Sequence, residues 1–122
     1  MHEFPCTLLS WHDGDTCRVL VDLDIAGLTM HRVVRVHGID TPELNCDAGL
    51  AAKEAAEFLA PVGTTITCRT AKRRECDSFG RWLAVVKLPG GREFAAAMIE
   101  AGHGKAYYGD YDCEYDPFGV QV

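Results

Sequence analysis

The stretch RVHGIDTPE, residues 35–43, reads as the end of a β-strand, yet it closes on an acid, a hydroxyl, a proline and a second acid. Asp40 and Glu43 stand three residues apart, with Arg35 five residues upstream of Asp40. Pro42 fixes φ, so one short rigid turn sets the relative direction of the two carboxylates. Asp is also ordinary turn chemistry, so the acids alone fit either a turn or a cation site.

Working outward from this stretch, residues 5–16 read as a short strand closed by the turn Asp13-Gly-Asp-Thr16. Residues 17–25 alternate, with Cys17, Val19, Val21, Leu23 and Ile25 on one side and Arg18, Asp22 and Asp24 among those opposite. Ala26-Gly27 turns the chain, and residues 29–39 return as the partner strand of a hairpin. Downstream, Asp47 is positioned to cap a helix over residues 48–60, stopped by Pro61 and Gly63. Residues 64–70 form a fourth strand, 71–78 a polar connector and 80–88 a fifth strand. Pro89-Gly-Gly91 then turns into a second helix over 93–101, ended by Gly102. Five strands with a helix between the third and fourth predict a mainly β, α+β fold, a Greek-key barrel of the OB type with two helices. The strand order rests on analogy with that architecture.

Composition sets the outer bounds. A chain of 122 residues, 48% hydrophobic and 25% charged, suits one globular domain spanning the whole length. No apolar run approaches the roughly 18 residues of a membrane helix, and no leader is expected in the chain. That leaves the compartment open between cytoplasm and secretion after removal of a leader. The six cysteines include no Cys-x-x-Cys pair, so reduced, unpaired thiols are expected rather than a zinc site or a disulfide scaffold. A net charge of −6 argues mildly against a non-specific nucleic-acid binder.

If the turn carrying Asp15 meets the strand end carrying Asp40 and Glu43, three carboxylates share one rim. Two unit charges about 4 Å apart interact with roughly 4 kcal/mol at an effective dielectric of 20, so such a cluster requires a cation or raised pKa values. Oxygen-only ligation suits a hard ion such as Ca²⁺ or Mg²⁺. Arg35 and Arg81 sit in or beside apolar strands, where a guanidinium needs an anionic partner: an internal carboxylate or a bound phosphate. His37, two residues from Arg35, fits either a supporting role on the same strand face or plain structure.

At this point the residues resemble a family. DGDT, RVHGIDTPE, DSFGRWLAVV and MIEAGHGKAYY match, in order and approximate spacing, the signature blocks of the thermonuclease family, the staphylococcal nuclease-like domains. The resemblance covers residues 5–108 and leaves 109–122 as an acidic, aromatic tail, either loosely ordered or laid over the barrel. It implies an OB-fold barrel that hydrolyses DNA and RNA phosphodiesters with Ca²⁺. By resemblance, Asp15 and Asp40 give side-chain oxygens to the calcium and Thr41 its backbone carbonyl. Glu43 is the general base, and Arg35 and Arg81 grip the phosphate.

Departures from the family pattern also count. Phe79 stands where the family leads one to expect tyrosine, removing a hydroxyl contact to phosphate while leaving a face for stacking on a base. Tyr108 falls where the family places an aromatic against the nucleotide, although an aromatic after a helix also serves core packing. Lys72, Arg73 and Arg74 form a basic cluster that either guides the nucleic-acid backbone or is simply solvated. The expected partner is DNA or RNA, with no membrane, and the domain is expected to act as a monomer. A different class of reading remains beside the nuclease: a non-catalytic nucleic-acid- or protein-binding module of the same fold.

Overall fold

Alternation of buried and more exposed residues, clearest over Cys17–Val21, accompanies strands whose apolar faces converge. The computed structural model describes residues 2–70 and 82–107. In it β1 (His2–Trp11), β2 (Thr16–Asp22) and β3 (Thr29–Val36) form an antiparallel meander. Cys17, Val19 and Val21 of β2 are fully buried while Arg18 between them is exposed, as the period of two requires.

β5 (Thr65–Thr70) pairs antiparallel with both β1 and β6 (Trp82–Lys87). β6 then runs parallel to β3, closing a barrel in the order β1-β2-β3-β6-β5. A parallel pair needs a long crossover, and here the chain between β3 and β6 carries a helix and β5. Closure gives each of the five strands a partner on both sides. Its interior is filled by Leu8, Val19, Val21, Val34, Val36, Ile66 and Val86, together with the thiols of Cys6, Cys17 and Cys68. The five-stranded barrel with two helices is the expected architecture, and the strand order agrees with the analogy that suggested it.

The third strand departs from the sequence reading. It was expected unbroken over 29–39, but it stops at Val36 and resumes as β4 (Gly38–Asp40), because Gly38 adopts φ +95°, a left-handed conformation that breaks the ladder. β4 leaves the barrel and pairs with a short strand absent from the sequence reading, β7 (Lys105–Tyr107), in a separate two-stranded sheet. The second strand likewise ends at Asp22, short of the expected Ile25. Asp24, Ala26 and Gly27 take positive φ in the hairpin turn, which leaves Ile25 exposed instead of inward.

Helix α1 (Asp47–Leu59) buries Gly49, Ala52 and Ala56, small residues that let its backbone lie close to the barrel. Asp47 is its first residue and the extended Cys46 holds the cap position, so Asp47 acts on the positive end of the helix dipole instead of capping it. The stacked rings of Trp11 and Phe94 lie 4.6 Å apart, and the Trp11 indole N–H donates to the carbonyl of Ala60 just past α1. Phe94 begins α2 (Phe94–Glu100), whose buried Phe94 and Met98 are worth about 1.5–3 kcal/mol each in apolar burial. A Schellman motif ends α2: Gly102, at φ +84°, donates its N–H to Ile99 and His103 donates its N–H to Met98.

Candidate active site

The turn between β1 and β2 is tied together by its own acids. The side chain of Asp13 accepts the backbone N–H of Asp15 at 3.0 Å, an Asx turn, and His12 and Asp13 donate their N–H groups to the Thr16 carbonyl. The Asp15 carbonyl accepts the N–H of Val36 at 2.8 Å, which locks this turn to the end of β3. Gly14 is required there, since a β-carbon would lie 2.9 Å from the Thr41 methyl and 3.0 Å from Ala52.

These constraints bring Asp15 to the far end of RVHGIDTPE. One oxygen of its buried carboxylate, Oδ2, accepts both the backbone N–H and the hydroxyl of Thr41, each at 3.1 Å, while Oδ1 accepts the Thr16 hydroxyl at 3.2 Å. Nη2 of Arg35 lies 3.6 Å from Asp15 Oδ2 and 3.8 Å from Asp40 Oδ1. Nη1 of the same guanidinium donates to the Val36 carbonyl. Arg35 is 8% exposed, whereas the Asp40 side chain is about half exposed and faces solvent on one side.

Electrostatics follows the burial. Desolvation pushes the Asp15 carboxyl up, but its hydrogen bond with Asp13, the positive charge of Arg35 and the two donors of Thr41 outweigh it and hold Asp15 below the usual carboxylate range. Asp13 moves the other way: burial, then its hydrogen bond and repulsion with Asp15, raise it. The pair thus divides its roles, Asp15 remaining the anion and Asp13 holding a proton more readily.

Glu43 lies beyond this knot, exposed, in a cleft of about 540 Å³ lined on one side by Asp40, Thr41 and Glu43 and on the other by His103, Gly104 and Lys105. The N-terminus of α1 backs the Glu43 main chain. The Glu43 carbonyl accepts the N–H and the thiol of Cys46, and a β-carbon on Gly49 would overlap that same carbonyl.

Among the sequence-predicted residues, Asp15, Arg35, Asp40 and Thr41 are brought together, and Glu43 shares a cleft with Asp40 and Thr41. The internal ion pair foreseen as one option for Arg35 is present with both acids. His37 is buried at the break between β3 and β4, where its N–H donates to the Ala84 carbonyl at 2.7 Å. Arg81, Phe79, Lys72, Arg73, Arg74 and Tyr108 lie outside the described residues. Sequence reasoning missed Thr16, Gly14, Gly49, His103 and Lys105; the roles of Gly14, His103 and Lys105 depend on contacts between segments distant in the chain. Gly104, in the quoted block GHGKAYY, was the available signal: a β-carbon there would lie 2.7 Å from Ile39 and 3.1 Å from the Asp40 carbonyl.

Among the described residues no group of three or more His, Cys, Asp or Glu side chains gathers to hold a metal ion. The oxygens available for a cation are the two carboxylates, Asp15 and Asp40, and the Thr41 carbonyl. Their chemistry fits a hard ion completed by water. The Arg35 guanidinium already offsets one of the two carboxylate charges, which leaves one net negative charge at the cleft edge for a cation.

The family model described as staphylococcal nuclease homologue matches residues 33–118. The matched segment contains Arg35, Asp40, Thr41, Glu43 and Arg81, starts after Asp15 and runs into the tail beyond Tyr108. No curated protein is similar enough to match.

Proposed function

The chain belongs to the staphylococcal nuclease homologue family, and from that membership and the convergence just described we propose that it is a calcium-dependent nuclease hydrolysing phosphodiester bonds of DNA or RNA. The observation that carries the reading is the meeting of Asp15, Arg35 and Asp40 at one edge of the cleft that also contains Glu43. Asp15, Asp40 and the Thr41 carbonyl would hold the calcium, which when bound supplies positive charge against the developing oxyanion.

The chain's own residues supply the rest. Glu43, exposed to the cleft, accepts the proton of an attacking water. Arg35 turns its fork from the carboxylates to a phosphoryl oxygen, and Arg81 is assigned the second grip. Charge that builds on the phosphoryl oxygens is then met by fixed cations more strongly than in the ground state. Lys72, Arg73 and Arg74 are assigned to the nucleic-acid backbone, and Phe79 and Tyr108 to base stacking.

The experiment is hydrolysis of single-stranded DNA and RNA with millimolar Ca²⁺ and with chelator. Activity with calcium and loss on chelation is expected, and equal hydrolysis in both samples would remove the metal from the mechanism. One observation favours the second reading, a binding module without chemistry: Arg35 is held by two carboxylates and the Val36 carbonyl, as a purely structural arginine would be. No hydrolysis under any divalent ion would select it.

A further inference from the structure

The cleft has a second wall, which the proposed chemistry does not use. Its two sides come from segments about sixty residues apart in the chain: the Asp40–Glu43 side and the segment from Gly102 to Lys105. The β4–β7 ladder joins them, with Asp40 directly opposite Lys105. Gly104 packs against the Asp40 carbonyl with no room for a side chain, so the residues flanking it are held at a fixed distance from the proposed site.

Those flanking residues are His103 and Lys105. His103 occupies the position after the glycine of the Schellman motif, where an apolar residue commonly packs back onto the helix. Here a half-buried imidazole occupies it and lines the cleft. Among the described residues its ring makes no hydrogen bond, and the exposed Lys105 makes no ion pair, although an aspartate faces it across the ladder. At about 540 Å³ the cleft falls in the size range of small-ligand sites, large enough for a nucleotide unit.

We propose that His103 and Lys105 form a second phosphate subsite, which holds a nucleic-acid phosphate neighbouring the one gripped by Arg35. This rests on the nuclease reading and deepens it, since it makes a polynucleotide, not a mononucleotide, the ligand that fills the cleft. Lys105 supplies a point charge and His103 a ring N–H donor on the wall facing Asp40 and Glu43. The carboxylates opposite would repel an anion, so the subsite fills only when a cation neutralises them. It therefore works with the calcium reading and not in place of it.

The test is binding, with calcium present, of a fluorescent phosphorothioate oligodeoxynucleotide that resists hydrolysis, followed by anisotropy over a series of monovalent salt concentrations. A nucleoside 5′-monophosphate measured by calorimetry is the second probe. Lys105→Gln is expected to weaken the oligonucleotide about tenfold and to lower the slope of log affinity against log salt by about 0.7, the loss of one single-strand phosphate contact. Lys105→Arg should keep the slope, and His103→Ala should weaken the oligonucleotide with the slope unchanged. The monophosphate should bind wild type and all three variants alike. An unchanged oligonucleotide slope in Lys105→Gln, or an equal loss for the monophosphate, overturns the subsite while the nuclease reading stands. Wild-type protein that binds neither probe overturns both.

Discussion

Gly49, in the first turn of α1, faces the carbonyl of Glu43 so closely that a β-carbon at position 49 would overlap it. The helix N-terminus therefore sets where the main chain of the proposed base lies, and a glycine within a helix, ordinarily unfavourable by about 0.5–1 kcal/mol against alanine, has a steric reason to be there.

Gly49→Ala is expected to push residues 43–46 away from α1. Overpacking of this kind costs about 1–3 kcal/mol, and a displacement near 1 Å at a reacting group lowers turnover by about 10². Melting temperature and turnover measured together check this. A variant with lowered stability and full turnover would show that α1 does not position Glu43.

Glu43→Gln removes proton acceptance and preserves shape. Turnover is expected to fall by about 10² to 10⁴ while calcium-dependent nucleotide binding stays near wild type. Asp40→Ala, in contrast, is expected to abolish that binding, because it deletes an oxygen next to Arg35 and Thr41. Calorimetry of calcium and nucleotide for both variants separates the roles, and a Glu43→Gln that loses calcium as badly as Asp40→Ala would make Glu43 a ligand.

Asp13 and Asp15 give opposite pH signatures without metal. The raised folded pKa of Asp13 means its ionised form opposes folding, an effect fully present above the folded value and gone below the unfolded value of about 3.9. Asp13→Asn, whose side-chain oxygen still accepts the Asp15 N–H, should therefore raise the melting temperature at neutral pH in chelator, with the gain fading as pH falls toward 4. Asp15→Asn should lower it at neutral pH, since the depressed pKa marks stability present above about 3.9 and lost as pH falls through the lower folded value. Melting curves across pH that show the same sign for both variants would refute this division of charge.

Thiol chemistry should divide by burial. Desolvation pushes the Cys17 thiol far up, and a hydrogen bond with Cys6 followed by burial pushes Cys68 up as well, so neither offers a thiolate near neutrality. Cys46 is exposed. Alkylation of the native protein, mapped by peptide mass, is expected to label Cys46 and to spare Cys17 and Cys68 until denaturant is added. Labelling of Cys17 at the rate of Cys46 would mean that the barrel opens readily. Among the described residues Cys6, Cys17, Cys46 and Cys68 are free thiols, and reducing agent is therefore expected to act on no bond between these four and to leave melting temperature unchanged.

Much of this protein can be read along one dimension. Alternation over Cys17–Val21 and the alanine-rich run of α1 specify elements through the backbone periods of 2 and 3.6, which depend only on neighbours in sequence. The order of DGDT and RVHGIDTPE likewise placed Asp15, Arg35 and Asp40 as candidates, because strand ends and tight turns carry their own residue chemistry. What the linear pattern could not decide is which distant segments touch. The break at Gly38 converts an apparent strand end into β4, and its partner β7 is only three residues long, too short to announce itself by periodicity. That pairing alone puts His103 and Lys105 across the cleft from Asp40 and Glu43. The two hydrogen bonds from Thr41 to Asp15 span 26 residues, and the contact that seats Glu43 against Gly49 exists only once α1 has docked. Local propensity chooses elements because its interactions are short in sequence. The site is decided by packing and electrostatics between elements, which come into being only when the barrel closes.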